Sequence, residues 1–287
     1  MSKPILPKSH SLNTDPIGID FGTTNSVMSR YSHSLLKTGP ENLNFPITGS
    51  NLYPSIAFVD EKKCEIRTGR AAYSRKFMEP ESIVSSVKRR IAEDSKFSFN
   101  GATISNMQIA EAIISDFIKE IKSTDHNFSP NVVVITVPYY YGENENALIK
   151  QAIENVIVRD INSVPSFFII PEPVAASLSC LYNIKETSIN SKIFLIYDIG
   201  GGTLDMTLVR ITNDLTSFSY EVLANDGMAW FGGDDIDQFI YEYVTTHEQI
   251  DFSNLTEQQQ IVNKARLMEE CIEAKHHLSS SESYDFM

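Results

Sequence analysis

Apolar residues along this chain fall into short runs whose period keeps switching, and the switches mark strands alternating with helices. Ile17 to Asp20 is an apolar run ending in an acid, and after a Gly/Thr cluster an alternating stretch returns from Val27 to Tyr31. Asn51 to Val59 reads as a short strand around a proline. Ile83 to Ala92 and Ser105 to Lys122 carry helical spacing, with Ile109, Ile113, Phe117 and Ile121 recurring every four residues. Asn131 to Pro138 is a nearly continuous β-branched run, the pattern of a strand covered on both faces. A helix over Asn144 to Val156, a buried strand over Ser166 to Ile170 and a small-residue helix over Pro173 to Tyr182 follow. Further strands are predicted at Lys192 to Tyr197, Met206 to Ile211 and Tyr220 to Leu223, then helix from Ile236 onward to a polar stretch at Ser279 to Ser283. Strands separated by helices in this order predict an α/β fold with mixed sheets flanked by helices.

Two strand-turn-strand segments share one chemical signature. They are Ile17-Gly18-Ile19-Asp20-Phe21-Gly22-Thr23-Thr24-Asn25-Ser26 and Ile196-Tyr197-Asp198-Ile199-Gly200-Gly201-Gly202-Thr203-Leu204-Asp205. Glycine lets backbone approach a ligand closely, so successive N–H groups can converge on phosphate oxygens. Thr23, Thr24 and Thr203 add hydroxyl donors, and Asp20 and Asp198 supply hard oxygens suited to Mg²⁺. A Gly-rich hairpin taken alone is an ordinary tight turn. Two with the same Asp-apolar-Gly opening, in separate halves of one chain, point to a metal-bound nucleotide. Neither is a Walker loop or a dinucleotide fingerprint, because each turn leads into a strand rather than a helix.

Composition narrows the picture. At 287 residues and 42% hydrophobic content the chain can bury a substantial core, and two lobes are expected. No apolar stretch reaches membrane-helix length, and residues 1–14 carry no signal-peptide block, so a flexible leader, no membrane partner and a cytoplasmic protein are expected. A net charge of -13 argues against nucleic acid as a partner, and Lys88-Arg89-Arg90 is too short to reverse that. Cys64, Cys180 and Cys271 lack disulfide or zinc spacing, and the adjacent His276 and His277 point in different directions on a helix.

The two turns, with Pro-Glu-Pro-Val-Ala-Ala at 171–176 between them and Phe-Gly-Gly-Asp-Asp-Ile-Asp at 231–237 after, resemble the ATPase domain of seventy-kilodalton heat-shock chaperones, the DnaK family. The resemblance runs from about Ile17 to Ser280. It implies an actin-like ATPase fold of two lobes: 15–187 as the first, with an insert over about 46–125, and 188–287 as an incomplete second. It implies ATP/ADP and Mg²⁺ as ligands and a J-type co-chaperone or nucleotide-exchange factor as partner. Lys88, Glu172, Asp205 and Thr203 become the catalytic set, Asp20 and Asp198 the metal-holding pair. Gly22, Thr23, Thr24, Asn25, Gly200, Gly201, Gly202, Thr203, Gly232, Gly233, Lys275 and Ser279 become nucleotide contacts. Read without the resemblance, Lys88 is a solvated helix residue. Pro138 resembles the family's interdomain hinge proline and is otherwise a strand stop. Ser85-Ser86-Val87-Lys88-Arg89 and the Asp234-Asp235 pair are similar to the HscA branch, which serves iron-sulfur cluster assembly.

Several positions depart from the family's motifs. After Pro138 the family has Ala-Tyr-Phe-Asn-Asp and then an Arg; here Tyr139-Tyr140-Tyr141-Gly142-Glu143 follows, and Asn146 takes the Arg place. Ile272 replaces a ribose-binding Glu, and Pro171 and Val174 replace an Asn and a Thr. Family members continue past the position of Ser280, so the peptide-binding domain and the rest of the second lobe are expected to be missing, with an apolar sheet edge exposed around Lys192 to Ile211. Other readings are a catalytically silent remnant or decoy for co-chaperones, and an actin-like filament protein of the MreB type.

Overall fold

The computed structural model describes residues 15–33, 38–45, 49–126, 128–161, 164–184, 191–214, 217–228 and 231–286. The expected leader, 1–14, lies outside the described residues. In chain order the strands and helices begin with β1 (Ile17–Asp20), β2 (Asn25–His33), β3 (Thr38–Asn42), β4 (Tyr53–Pro54), β5 (Ala57–Asp60), β6 (Glu65–Thr68) and α1 (Gly69–Tyr73). Then come β7 (Ile83–Val84), β8 (Asp94–Phe99), β9 (Ala102–Ser105), α2 (Asn106–Thr124), β10 (Val132–Val137), α3 (Glu143–Ile161), β11 (Ser166–Pro171) and α4 (Glu172–Ile184). Finally β12 (Lys192–Ile199), β13 (Leu204–Asp214), β14 (Ser217–Met228), α5 (Gly233–His247) and α6 (Glu257–Leu278) complete the order. The chain divides into two compact units, Met1–Arg70 with Val84–Ala175, and Ala71–Ile83 with Ala176–Met287.

The first unit is built on a mixed sheet in the order β11-β10-β1-β2-β3, with β4 also paired to β2. β1, β10 and β11 run parallel, and β2 returns antiparallel from β1. The β-branched run of β10 is central, and Val133 and Ile135 are fully buried. A serine cap starts α2: the Ser105 side chain accepts from the Gln108 N–H while the Gln108 side chain takes the Ser105 N–H. The every-fourth-residue stripe Ile109, Ile113, Phe117 and Ile121 is buried, as the spacing predicts. Phe117 meets Phe45 and Tyr53 at ring separations of 5.2 and 5.4 Å, in tilted and edge-on geometries that aromatic quadrupoles favour.

Three expectations in this unit need correction. Ile83 to Ala92 is not one helix but the short β7 followed by a 3₁₀ turn over Val87–Arg90. Ser86 enters that turn in the left-handed region, φ 57°. The apolar spacing of Ile83, Val87 and Ile91 is met by a strand, a bend and a tight turn, because burial constrains where side chains land and not which backbone delivers them. β11 is an edge strand and not a buried one, with Phe168 and Ile169 exposed. Asn51 to Val59 is likewise broken into two strand pieces, β4 and β5.

The second unit carries a three-stranded antiparallel sheet, β12-β13-β14, and the helices α5 and α6, which pack on each other. β12 is an edge strand, and its alternate residues Ile193, Leu195, Tyr197 and Ile199 are exposed. The helical stretch expected from Ile236 onward consists of two helices: α5 ends at His247 and a Thr256 cap starts α6 anew. Among the described residues no helix is long and apolar enough to cross a membrane. Substituting Phe117→Ala, which empties the centre of the aromatic cluster, is expected to destabilise the first unit by about 3–5 kcal/mol. Val164→Ala, at 85% exposure, is expected to change it by less than about 0.5 kcal/mol. Denaturant unfolding of both variants checks the contrast.

Candidate functional site

In the first unit the strand register gathers the expected residues. Asp20 is the last residue of β1 and pairs with Thr136 on β10, while Val137 pairs with Pro171 on β11. Glu172 follows immediately as the first residue of α4, where the helix N-terminus favours an acid. The carboxyl ends of three parallel strands therefore deliver Asp20, Thr136 and Glu172 to one edge, the place where open α/β sheets take ligands.

Lys88 reaches the same place from the 3₁₀ turn. Its side chain is 3% exposed, and its ammonium lies 2.5 Å from Glu172 Oε1 and 3.9 Å from Asp20 Oδ1. The solvated-lysine reading is therefore wrong: removing an ammonium from water costs several kcal/mol unless carboxylates face it, and here two do. The Thr136 hydroxyl donates to Asp20 Oδ1 at 3.0 Å and fixes the carboxylate's orientation. Sequence reasoning missed Thr136. Its signal was being the one polar residue inside the Val132–Val137 run.

The adjoining turn needs its glycine. A Cβ on Gly22 would collide with the carbonyl of Asn25, so the chain folds back at that point only without a side chain. Thr23 and Thr24 are half-buried, Asn25 is exposed at the start of β2, and the Thr24 carbonyl accepts from the Ser55 N–H at 2.8 Å.

The second unit builds its turn from backbone. Gly200 N–H donates to the Thr203 carbonyl at 2.8 Å, which closes the Gly200–Thr203 turn between β12 and β13. The start of α5 docks on it: Gly233 N–H donates to the Gly200 carbonyl at 3.0 Å and Asp234 N–H to the Gly201 carbonyl at 2.6 Å. A Cβ on Gly232 would lie 2.6 Å from Gly202 N and 2.7 Å from the Gly200 carbonyl oxygen, so Gly232 is what permits this approach. Asp198 and Asp205 stand directly opposite each other on β12 and β13. Like charges at such a pair repel by a few tenths of a kcal/mol up to about 1 kcal/mol, and a cation relieves that. Lys275 on α6 lies 2.7 Å from Asp237 Oδ1 and donates to the Gly233 carbonyl at 2.9 Å. Ser279 caps α6 by donating to the Lys275 carbonyl at 3.0 Å. Ile272 is half-buried beside them on the same helix.

The expected residues thus form two sets, Asp20, Gly22–Asn25, Lys88 and Glu172 in one unit and Asp198, Gly200–Thr203, Asp205, Gly232, Gly233, Lys275 and Ser279 in the other. A sequence model of the Hsp70 protein family matches residues 93–287, more than half of the chain. The chain belongs to the Hsp70 family. That match spans Glu172, the second turn and the Gly232-Gly233 segment, while Asp20 and Lys88 precede it. The mixed α/β architecture, sheets flanked by helices, is that of the actin-like ATPase fold expected for an Hsp70 chaperone ATPase domain.

Two consequences of the α5 docking are measurable. Gly232→Ala is expected to destabilise the second unit by about 1–3 kcal/mol through that overpacking, seen as a lowered thermal transition. Asp234, in the first turn of α5, has its carboxyl pushed above the ordinary range by burial. An acid with a raised folded-state pKa weakens the fold once ionised and stops doing so as pH falls through that value. Asp234→Asn is therefore expected to raise the melting temperature at pH 7, with the gain disappearing toward pH 4.

Proposed function

We propose that the chain is the ATP-binding, ATP-hydrolysing part of a DnaK/HscA-type chaperone, taking MgATP and MgADP. The observation that carries this is the buried Lys88 held between Glu172 and Asp20 at the carboxyl ends of three parallel strands. A fold does not keep an ammonium out of water at a sheet edge for stability alone, since an apolar residue there is often as stable or more so.

The residues present fit the ligand. Backbone packed closely at Gly22 and Gly232 leaves no room for a Cβ, and the two tight turns it holds are the segments that would approach phosphates. Asp20, aligned by Thr136, and the facing Asp198 and Asp205 would hold Mg²⁺, whose bound form supplies charge neutralisation on the phosphates. Thr23, Thr24, Asn25 and Gly200–Thr203 would line the phosphates. Lys88 is the fixed cation that offsets charge gathering on the transferred phosphoryl oxygens, because a preorganised charge out of water acts more strongly than a solvated one. Glu172, within hydrogen-bond reach of Lys88, orients the attacking water, with Asp205 assisting. Lys275 and Ser279 border the nucleoside, where Ile272 leaves ribose hydroxyls without the usual acid.

The lobe division at 187/188, the J-type or exchange-factor partner, a role in iron-sulfur assembly and a cytoplasmic setting belong to this reading. The free state of Cys64, Cys180 and Cys271 suits a reducing compartment. A binding-only protein is the second reading, favoured by Ile272 and by Asn146 at the family's Arg place, where a guanidinium's bidentate reach is lost. Calorimetric titration separates the two. MgADP at a hundredfold excess over its Kd is expected to add about 2.7 kcal/mol of stability, and Lys88→Ala is expected to lower phosphate release by about 10²-fold or more without loss of binding. Failure of MgATP and MgADP to bind at high micromolar concentration would falsify the nucleotide reading. Binding with no Lys88-dependent phosphate release would leave the binding-only protein.

A further inference from the structure

Lys88 is carried by a weak piece of backbone. A four-residue 3₁₀ turn closes few hydrogen bonds of its own, its geometry is poorer than an α-helix's, and its entry residue, Ser86, has the left-handed conformation and no side-chain cap. Side chains from elsewhere in the same unit anchor its backbone carbonyls. Asn106 at the start of α2 donates to the Arg90 carbonyl at 2.8 Å, and the Tyr141 hydroxyl donates to the carbonyl of Lys88 itself at 2.8 Å.

Tyr141 is well placed for a tether. It lies in the loop between β10 and α3, five residues beyond Thr136 in the chain. Its N–H donates to the Pro138 carbonyl at 3.2 Å, its ring meets Tyr140 edge-on at 5.4 Å, and Leu148 and Tyr141 both pack against the core. Burial pushes the phenol well above its ordinary range, so it remains a donor at every physiological pH. One segment thus fixes both partners of the charged site: Thr136 orients the Asp20 carboxylate, and Tyr141 anchors the residue whose ammonium faces it.

We propose that Tyr141 is a positioning residue, whose hydroxyl holds the Lys88 backbone in the register that presents the ammonium to Glu172 and Asp20. The tether rests on the geometry of the first unit. Its effect on turnover rests on the nucleotide reading given above.

Tyr141→Phe removes the hydroxyl alone and keeps the half-buried ring. Amide hydrogen exchange of the full chain is expected to accelerate about tenfold over residues 85–92 and stay unchanged elsewhere in the first unit, because losing a partly buried hydrogen bond opens what it held. Single-turnover MgATP hydrolysis is expected to slow by about three- to tenfold, with the MgATP Kd unchanged, a split that general loosening would not give. Unchanged exchange over 85–92, acceleration spread across the whole unit, or local acceleration with undiminished turnover each overturns the proposal. If the unaltered protein binds no MgATP, the nucleotide reading falls alone, and the exchange comparison still decides the tether.

Discussion

The first unit is organised around one electrostatic constraint: an ammonium that has been taken out of water must have carboxylates brought to it. Lys88 sits 2.5 Å from Glu172 and 3.9 Å from Asp20, and neither acid is near it in sequence. Meeting that requirement fixes a great deal of structure. β1 and β11 must be parallel and one strand apart so that Asp20 and Glu172 emerge at the same end. β10 must lie between them in a register that places Thr136 beside Asp20. The segment before α2 must abandon helical geometry so that Lys88 points inward while Val87 and Ile91 still reach the core.

That departure explains where the sequence was misleading. Helical spacing over Ile83 to Ala92 was a true statement about the burial of Val87 and Ile91 and a false one about backbone. The long stripe on α2 and the β-branched run of β10 were legible because each is longer than any competing solution. A stripe of three apolar residues is not. β11 read as buried for a related reason: Phe167, Phe168, Ile169 and Ile170 form an apolar run, and composition does not reveal whether a strand has a neighbour on one side or two.

The charged site was legible unevenly. Asp20 and the glycines stood out because an acid followed by glycine at a strand end has few purely structural uses. Lys88 did not, since nothing in Lys88-Arg89-Arg90 distinguishes a buried lysine from its neighbours. Only the match to a family motif selected it. Thr136 and Tyr141 were passed over because their roles depend on tertiary partners 116 and 53 residues away. No local pattern encodes such distances.

The two units build their glycine turns from different materials, and this sets how each tolerates change. In the first, side chains do the holding: Thr136 orients the Asp20 carboxylate and the Tyr141 hydroxyl holds the Lys88 carbonyl, so losing one hydroxyl loosens what it held without recasting the strand register. In the second, the Gly200–Thr203 turn and the start of α5 are joined backbone to backbone, and Gly232 is required because any Cβ would strike Gly202 or the Gly200 carbonyl. Side-chain chemistry on that turn is therefore limited to Asp198, Thr203 and Asp205 at its ends. The first unit, by contrast, brings a fixed positive charge, Lys88, to the carboxyl ends of its parallel strands.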